Sequence, residues 1–170
     1  MVDQEIQTTK LITECQKIKG ELLTIGTAES ATGGKIAAKL TNVAGSSAYF
    51  KGSIVAYSNE IKVNVLGVKK ETIEMYGAVS QETAIEMAQG ARKLLNVDLC
   101  ISDTGIAGPT GGSSNKPVGL FYIGLASISR TICKKITMPG NREENREKVT
   151  EAALKLLNQF LSQYIKEIPG

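Results

Sequence analysis

Apolar side chains along this chain follow two different spacings, which predict helices and strands in alternation. Spacings of three and four residues, typical of amphipathic helices, run over residues 4–19, 80–95 and 142–164. Short apolar runs, typical of buried strands, occupy the segments 22–28, 53–57, 98–104, 120–128 and 131–138. Strands that alternate with helices indicate an α/β fold, and the hairpin near the end makes the sheet mixed. We therefore expect a three-layer α/β/α sandwich around a mixed, mostly parallel central sheet.

Two of the predicted helices have well-defined apolar faces. The helix that begins near Ser80 is expected to bury a stripe formed by Ile85, Ala88, Ala91, Leu94 and Leu95. The last helix is expected to bury Val149, Ala153, Leu156, Leu157, Phe160 and Leu161.

The composition fits one globular domain over residues 1–170. Apolar residues make up 42% and charged residues 22% of the 170 positions, and the net charge of +3 is dispersed along the chain. So mild a charge favours neither nucleic acid nor a membrane surface as a partner. The first ten residues are polar, unlike a secretory signal. Cys15, Cys100 and Cys133 are widely spaced in apolar contexts, which indicates free buried thiols and a cytoplasmic location.

The absence of histidine restricts the chemistry most strongly. With no histidine in the sequence, neither a Ser-His-Asp triad, a Cys-His dyad nor a His-ligated zinc can form. If the protein hydrolyses a substrate, its general base is a lysine, a tyrosine or a carboxylate, or else oxygen ligands alone hold a metal.

A polar turn follows the first predicted strand. Ser30 ends that strand, and Thr32, Gly33 and Gly34 open the next helix. Free backbone N–H groups at a helix start, with hydroxyls beside them, suit an anion or a developing oxyanion. Ordinary N-capping is the alternative, and this stretch taken alone favours it.

A second group of polar residues surrounds the next strand. Ser46 and Ser47 follow a glycine, as a nucleophilic serine in a sharp turn would, although the G-x-S-x-G pattern is absent. Tyr57 and Lys62 are five residues apart across the following strand-to-helix junction. A lysine shielded from water there would have a lowered pKa and could deprotonate a serine. A solvated surface lysine is the alternative.

The loop over residues 105–119 contains five glycines and two prolines. Its backbone N–H groups could hold a phosphate, with Lys116 as counter-charge, but it matches neither of the common nucleotide-binding glycine motifs. A purely structural loop remains the alternative. Arg142, just before the last helix, could bind a phosphate in bidentate fashion or pair with a carboxylate.

Together these motifs resemble one family, the C-terminal domain of the competence/damage-inducible protein CinA, which includes stand-alone nicotinamide mononucleotide deamidases. The resemblance covers residues from about 22 to 160 and rests on seven motifs that occur in family order. The motifs are AESATGG at 28–34, GSSAYF at 45–50, YSNEIK at 57–62, LGV at 66–68, GAVS at 77–80, TGIAGP at 104–109 and KPVG at 116–119. The family usually carries cysteine at the position of Ala31.

The resemblance implies hydrolysis of the carboxamide of nicotinamide mononucleotide to nicotinate mononucleotide and ammonia. By motif position it implies Ser47 as nucleophile, Lys62 and Tyr57 as activating groups, and Ser30 as a residue that orients the carboxamide or the oxyanion. The implied substrate-binding residues are Thr32, Gly33, Gly34, Ser46, Gly105, Gly108, Gly111, Gly112 and Arg142. Whether Ser46 or Ser47 attacks is left open by the residues themselves.

The resemblance implies no metal, no cofactor, no nucleic acid and no membrane, and it implies a homo-oligomer. A second hypothesis is a non-catalytic CinA-like domain that binds a nucleotide or a protein. The sequence begins about 20 residues before the first predicted strand, so we expect it to lack the larger N-terminal domain of some relatives. The joint presence of Ser30, Ser47, Tyr57 and Lys62 favours the enzyme.

Overall fold

The computed structural model describes residues 2–169, which form six α-helices and five β-strands. The helices are α1 (Gln4–Lys19), α2 (Lys35–Thr41), α3 (Asn59–Asn64), α4 (Lys70–Tyr76), α5 (Gln81–Leu95) and α6 (Arg142–Glu167). The strands are β1 (Ile25–Glu29), β2 (Phe50–Val55), β3 (Leu99–Gly105), β4 (Leu120–Ala126) and β5 (Thr131–Thr137). The sequence pattern had placed the second strand about three residues too late.

All five strands belong to one mixed sheet with the order β2-β1-β3-β4-β5. Strands β2, β1 and β3 are parallel, whereas β4 is antiparallel to both β3 and β5. The carboxyl ends of β1, β2 and β3 therefore meet at one edge, here called the carboxyl edge, and their starts define the amino edge. In open α/β sheets, ligands bind at the carboxyl edge.

Helices cover both faces of the sheet, which confirms the predicted sandwich. One core contains α1, α2 and α6 packed on side chains such as Ile25, Ile101 and Phe121. The other core contains α5 packed on side chains such as Ala28 and Cys100. Alternate residues of each strand thus face opposite cores, as a pleated sheet requires.

The apolar face of α6 was predicted correctly, but that of α5 was partly wrong. All six residues expected to face the core from α6 are buried. In α5, Ala88 and Ala91 are buried as expected, but Leu94 is 57% exposed, and Ala84 and Met87 occupy the core instead. Small residues are needed on this helix because it lies close to the sheet: Ala84 O accepts a hydrogen bond from Ser102 of β3 at 2.6 Å.

The helix α3, which carries Lys62, is held in place by a close contact with α5. A Cβ atom on Gly90 of α5 would lie 1.7 Å from the carbonyl oxygen of Leu66, just after α3. Only glycine permits this approach. Within residues 2–169, no helix combines the length and the apolar character needed to cross a membrane.

Candidate active site

The loops that follow β1, β2 and β3 enclose a cleft of about 250 Å³ at the carboxyl edge. This volume is close to the lower limit for small-molecule sites. Its walls come from the β1–α2 turn, the start of α3, the α4–α5 connection, the glycine-rich loop and the first residue of α6. The cleft therefore lies where the fold class predicts a ligand.

A buried lysine and a serine meet at the base of this cleft. Lys62 is 2% exposed, and its Nζ donates to Ser30 Oγ at 2.9 Å. The same amine donates to the carbonyl oxygens of Ala56 at 2.9 Å and Tyr57 at 3.1 Å. These three acceptors fix the amine against the hydroxyl. The alternative of a solvated Lys62 is thereby excluded.

Burial lowers the pKa of Lys62 below its ordinary value, and the charge of Asp103 opposes this effect in part. Burial acts in this direction because it penalises the ammonium form. A neutral amine in hydrogen-bond contact with a hydroxyl can accept its proton. Lys62 and Ser30 therefore form an arrangement suited to a general base and a nucleophile.

The start of α2 is occupied by the carboxylate of Glu29. Glu29 is fully buried and accepts hydrogen bonds from the backbone N–H groups of Gly34, Ile36 and Ala37 at 3.1, 2.8 and 2.9 Å. These are the N–H groups that the sequence suggested for an anion or an oxyanion. An internal capping carboxylate uses them instead, and the N–H of Gly33 donates to the carbonyl oxygen of Ser30 at 3.1 Å. Neither Gly33 nor Gly34 lines the cleft, so the substrate-binding roles expected for them are not supported. Both glycines have positive φ, which the sharp turn requires.

Thr32 lies behind the cleft, between two buried carboxyl groups. Its side chain is fully buried, and its Oγ1 lies 2.7 Å from Glu29 Oε1 and 2.5 Å from Asp103 Oδ1. Thr32 does not line the cleft, so its expected contact with a substrate is not supported. Thr32 supports the turn that carries Ser30.

Tyr57 and Arg142 meet at the mouth of the cleft. The Arg142 guanidinium donates to Tyr57 Oη at 3.1 Å and to the carbonyl oxygen of Gly108 at 2.9 Å. Arg142 thus links the β2–α3 junction to the glycine-rich loop. The Tyr57 ring is 61% exposed, and the polar contact of its hydroxyl is with Arg142 rather than with Lys62 or Ser30.

The glycine-rich loop forms one wall of the cleft. Gly105, Gly108 and Gly111, which the resemblance implies as substrate-binding residues, line it together with Thr110. Gly112 does not line the cleft. It packs against the other end of the loop, where a Cβ atom would lie 2.8 Å from the backbone nitrogen of Val118. The loop is anchored by Lys116, whose amine contacts the carbonyl oxygen of Tyr76 at the end of α4. Lys116 is therefore used for structure and does not face the cleft.

Ser46 and Ser47 lie at the amino edge of the sheet, away from Lys62. They belong to a one-turn 3-10 helix (Ser46–Ala48) that directly precedes β2. The carbonyl oxygen of the adjacent Tyr49 accepts from the N–H of Ile25, the first residue of β1. Ser30 follows the last residue of β1, so roughly 17 Å of strand separates the two edges. Within this chain Ser47 does not reach Lys62, and the expected role of Ser46 in the cleft is likewise not supported.

Sequence reasoning missed Asp103, Asn59 and Thr104. Asn59 and Thr104 line the cleft, and Asp103 accepts from the backbone N–H of Ser30 at 3.1 Å. An acidic residue inside an apolar strand was the available signal for Asp103 and for Glu29, because buried carboxylates are rare without a structural or chemical reason.

A larger groove of about 340 Å³ lies at the amino edge, beside Leu22, Phe160 and Tyr164. Other surface grooves reach 360 to 490 Å³, so volume alone does not identify the ligand site. We assign the site to the smaller cleft because it contains the buried Lys62–Ser30 pair, and perturbed titratable groups concentrate at functional sites.

Comparison with known proteins identifies the same family that the motifs resemble. The model of the CinA C-terminal domain family matches residues 8–161. The chain belongs to this family. The CinA domain is 53% identical over 140 residues to a putative competence-damage inducible protein of Halothermothrix orenii, and 48% identical over 160 residues to one of Thermoanaerobacter pseudethanolicus. These alignments cover 82% and 94% of this chain but 34% and 38% of the two relatives, so the chain spans about a third of their length.

Solved structures of related proteins have the same fold over nearly all of this chain and of their own chains. The competence/damage inducible protein CihA from Agrobacterium tumefaciens is 37% identical with a TM-score of 0.86, covering 95% of this chain and 97% of that chain. The competence damage-inducible protein A from Klebsiella pneumoniae is 31% identical with a TM-score of 0.84, covering 94% and 97%. The CinA fold thus accounts for the described residues.

Proposed function

We propose that this CinA domain is an amidohydrolase that converts nicotinamide mononucleotide and water into nicotinate mononucleotide and ammonia. Ser30 is the nucleophile and Lys62 is its general base. This assignment replaces Ser47, which lies at the opposite edge of the sheet. The substrate comes from the family resemblance. The reaction type rests on the geometry of the cleft.

The observation that carries the proposal is the 2.9 Å hydrogen bond between Lys62 Nζ and Ser30 Oγ, two buried residues at the base of the cleft. A serine hydroxyl is a weak nucleophile until an adjacent base removes its proton. Lys62 can act as that base because burial lowers its pKa. No histidine is needed.

The reaction proceeds in two balanced steps. Lys62 takes the Ser30 proton as Oγ attacks the carboxamide carbon. The C–N bond then breaks, and the Lys62 ammonium gives its proton to the departing nitrogen, which leaves as ammonia. Water next attacks the resulting Ser30 ester while Lys62 takes its proton. The ester C–O bond breaks, and the Lys62 ammonium returns its proton to Ser30 Oγ. The product is a carboxylic acid, which gives the second proton of the water to solvent or to the released ammonia and leaves as the carboxylate.

A backbone donor for the oxyanion is available beside the nucleophile. Ala31 follows Ser30 and lines the same cleft. The N–H of the residue after a nucleophile stabilises the oxyanion in other hydrolases. We assign that role to Ala31 N–H, and a side chain at this position is not required to supply it.

The phosphate of the substrate is assigned to Arg142 and the glycine-rich loop. Arg142 uses two of its donors on Tyr57 and Gly108, and a guanidinium has five. The remaining donors, with the backbone N–H groups around Thr110 and Gly111, suit the planar, bidentate binding of a phosphate.

The proposal is tested by ammonia release from nicotinamide mononucleotide by the purified full chain, with a chelator present. We expect stoichiometric ammonia from the wild type and from Ser47→Ala, and none from Ser30→Ala. Binding of the nucleotide without ammonia release by folded wild type would contradict the amidase and support the non-catalytic nucleotide-binding domain. Loss of activity in Ser47→Ala alone would contradict the assignment of Ser30.

A further inference from the structure

Asp103 lies directly behind the Ser30–Lys62 pair, at the carboxyl end of β3. It is fully buried, and its carboxyl oxygens accept from the N–H groups of Ser30 at 3.1 Å and Thr32 at 3.2 Å. The Ser30 backbone is thus attached to Asp103 on the side opposite to the cleft. A shift of Asp103 would shift the Ser30 hydroxyl with it.

The Thr32 hydroxyl joins Asp103 to a second buried carboxyl group, that of Glu29, at 2.5 and 2.7 Å. A hydroxyl has one hydrogen to donate, so it can serve only one of two ionised carboxylates. Glu29 also accepts three backbone N–H bonds, and Asp103 accepts two. The Thr32 hydroxyl thus couples the two carboxyl groups, and burial raises the pKa of Asp103 to about 6, so Asp103 is ionised at neutral pH.

The Lys62 amine meets only uncharged acceptors: Ser30 Oγ and the carbonyl oxygens of Ala56 and Tyr57. Within residues 2–169 it has no carboxylate within salt-bridge distance. The charged groups around Asp103 are Lys62 from α3, Glu29 from β1, and Arg146 from α6. Arg146 is bound to the carbonyl oxygens of Ala31 and Thr32 at 2.9 and 3.0 Å. Asp103 is the acid whose charge acts on Lys62.

We propose that Asp103 is a positioning residue of this site: it holds the Ser30 backbone and its negative charge balances the ammonium that Lys62 becomes on taking the Ser30 proton. Proton transfer into a buried amine creates a positive charge where no ion pair exists. A fixed negative charge behind the pair lowers the free energy of that state without occupying the cleft.

The charge-balancing role can be measured without turnover, by following the titration of Lys62 in the full chain. The probe is a ¹³C label at lysine Cε, with the Lys62 signal identified by its absence from Lys62→Met. In Asp103→Asn, which keeps the size of the side chain and removes the charge, the pKa of Lys62 should fall by about 1. An unchanged Lys62 titration in folded Asp103→Asn would overturn the proposal.

A second pair of variants tests the same idea through the hydroxyl group that contacts Asp103. Thr32→Val removes the hydroxyl that favours ionised Asp103, so it should lower the pKa of Lys62 in the same direction, whereas Thr32→Ser keeps the hydroxyl and should restore the wild-type titration. Equal Lys62 titrations in the two variants would count against the proposal.

Asp98 supplies the matched control at the other end of β3. Its carboxylate accepts from Thr24 N–H and Thr24 Oγ1 at 2.8 and 2.9 Å, so it makes the same kind of contact at the amino edge. Asp98→Asn should leave the pKa of Lys62 unchanged. A shift there equal to that in Asp103→Asn would show a general structural effect and overturn the specific role.

The catalytic part of this inference rests on the proposed function, and the two can fail separately. If the wild type releases ammonia, Asp103→Asn should lower kcat more than tenfold, move the acid limb of kcat/KM to lower pH and change KM little. A change in KM alone would contradict positioning of the nucleophile. A shifted Lys62 titration in a protein that releases no ammonia would overturn the amidase and leave the Asp103–Lys62 coupling standing.

Discussion

Lys62 Nζ and Ser30 Oγ lie 2.9 Å apart although the two residues are separated by 32 positions in the chain. Ser30 follows β1, and Lys62 lies in α3, which follows β2. Because β1 and β2 are neighbouring parallel strands, their carboxyl ends bring these two segments together. The pairing of base and nucleophile is therefore a consequence of the sheet topology.

Ser30→Ala should lower kcat roughly a thousandfold or more, because the nucleophile is lost while the cleft remains. The change removes one hydroxyl, so the fold should be kept, as circular dichroism can check. Ammonia release measures the rate. Ser47→Ala is the matched control at the amino edge, and it should retain wild-type turnover.

Lys62→Met should lower kcat by roughly 10²- to 10⁴-fold, the usual contribution of a general base. In the wild type, kcat/KM should rise with pH through the lowered pKa of Lys62, with its midpoint below the ordinary lysine value of 10.5. Lys69→Met, at an exposed lysine directly before α4, should leave both the rate and the pH profile unchanged. A wild-type profile whose midpoint lies at 10.5 or above would contradict the role of burial.

Lys62→Met should also increase the free energy of unfolding at pH values below the folded-state pKa of Lys62. Because the folded-state pKa of Lys62 is below the unfolded value, the protonated amine destabilises the fold at pH values below the folded pKa, and this effect vanishes above the unfolded pKa. Urea unfolding should therefore show Lys62→Met gaining stability over the wild type as the pH falls. A difference in stability that does not vary with pH would contradict this account.

The sequence predicted the fold class and the last helix well, for clear physical reasons. The 26 residues of α6 keep a helical apolar period, and Asn141 and Glu144 form a capping box at its start. The buried face of α5 was harder to predict, because this helix lies close to the sheet, buries Ala84 and leaves Leu94 exposed. Tertiary contacts decide which side chains fit there, and the spacing of apolar residues along the sequence does not show those contacts.

The site was only partly predictable. The motifs of the family resemblance include Lys62, Tyr57 and Ser30, which the structure brings to one cleft together with Arg142. The resemblance implied Ser47 as the nucleophile, whereas the structure places Ser30, not Ser47, beside Lys62. The motifs themselves do not show which edge of the sheet a residue occupies. Ser47 lies just before β2 and Lys62 lies in the helix that follows β2, so the length of that strand separates the two residues. The order of the predicted elements implied this separation, whereas the family resemblance favoured Ser47. The internal capping role of Glu29 is also invisible without the fold.

Arg142→Ala should raise KM for nicotinamide mononucleotide by roughly tenfold to a hundredfold, because a hydrogen bond to a charged group contributes about 1.5–3 kcal/mol. The KM for nicotinamide riboside, which has no phosphate, should change little. Arg130→Ala removes a guanidinium that stacks on Phe160, outside the cleft, and serves as the control. An equal loss for both substrates would contradict the phosphate assignment.

The raised pKa of Asp103 predicts that the free energy of unfolding depends on pH. Burial is the main cause that raises its pKa from 3.8 to about 6, so the folded protein holds more protons than the unfolded chain between these values. The contribution of Asp103 to the free energy of unfolding is therefore fully present below about pH 4. It decreases by about 3 kcal/mol as the pH rises through about 6. The difference in free energy of unfolding between the wild type and Asp103→Asn should fall by that amount. Urea titrations at about pH 4 and about pH 6.5 measure it, and a constant difference would contradict the raised pKa.

The most direct test of the central claim is to trap the covalent intermediate. The full chain is mixed with nicotinamide mononucleotide, quenched in acid within the first turnovers, digested and analysed by mass spectrometry. The account predicts the nicotinate mononucleotide acyl group on the peptide that contains Ser30, and no adduct in Ser30→Ala. An adduct on the peptide that contains Ser47, with Ser30 unmodified, would contradict it.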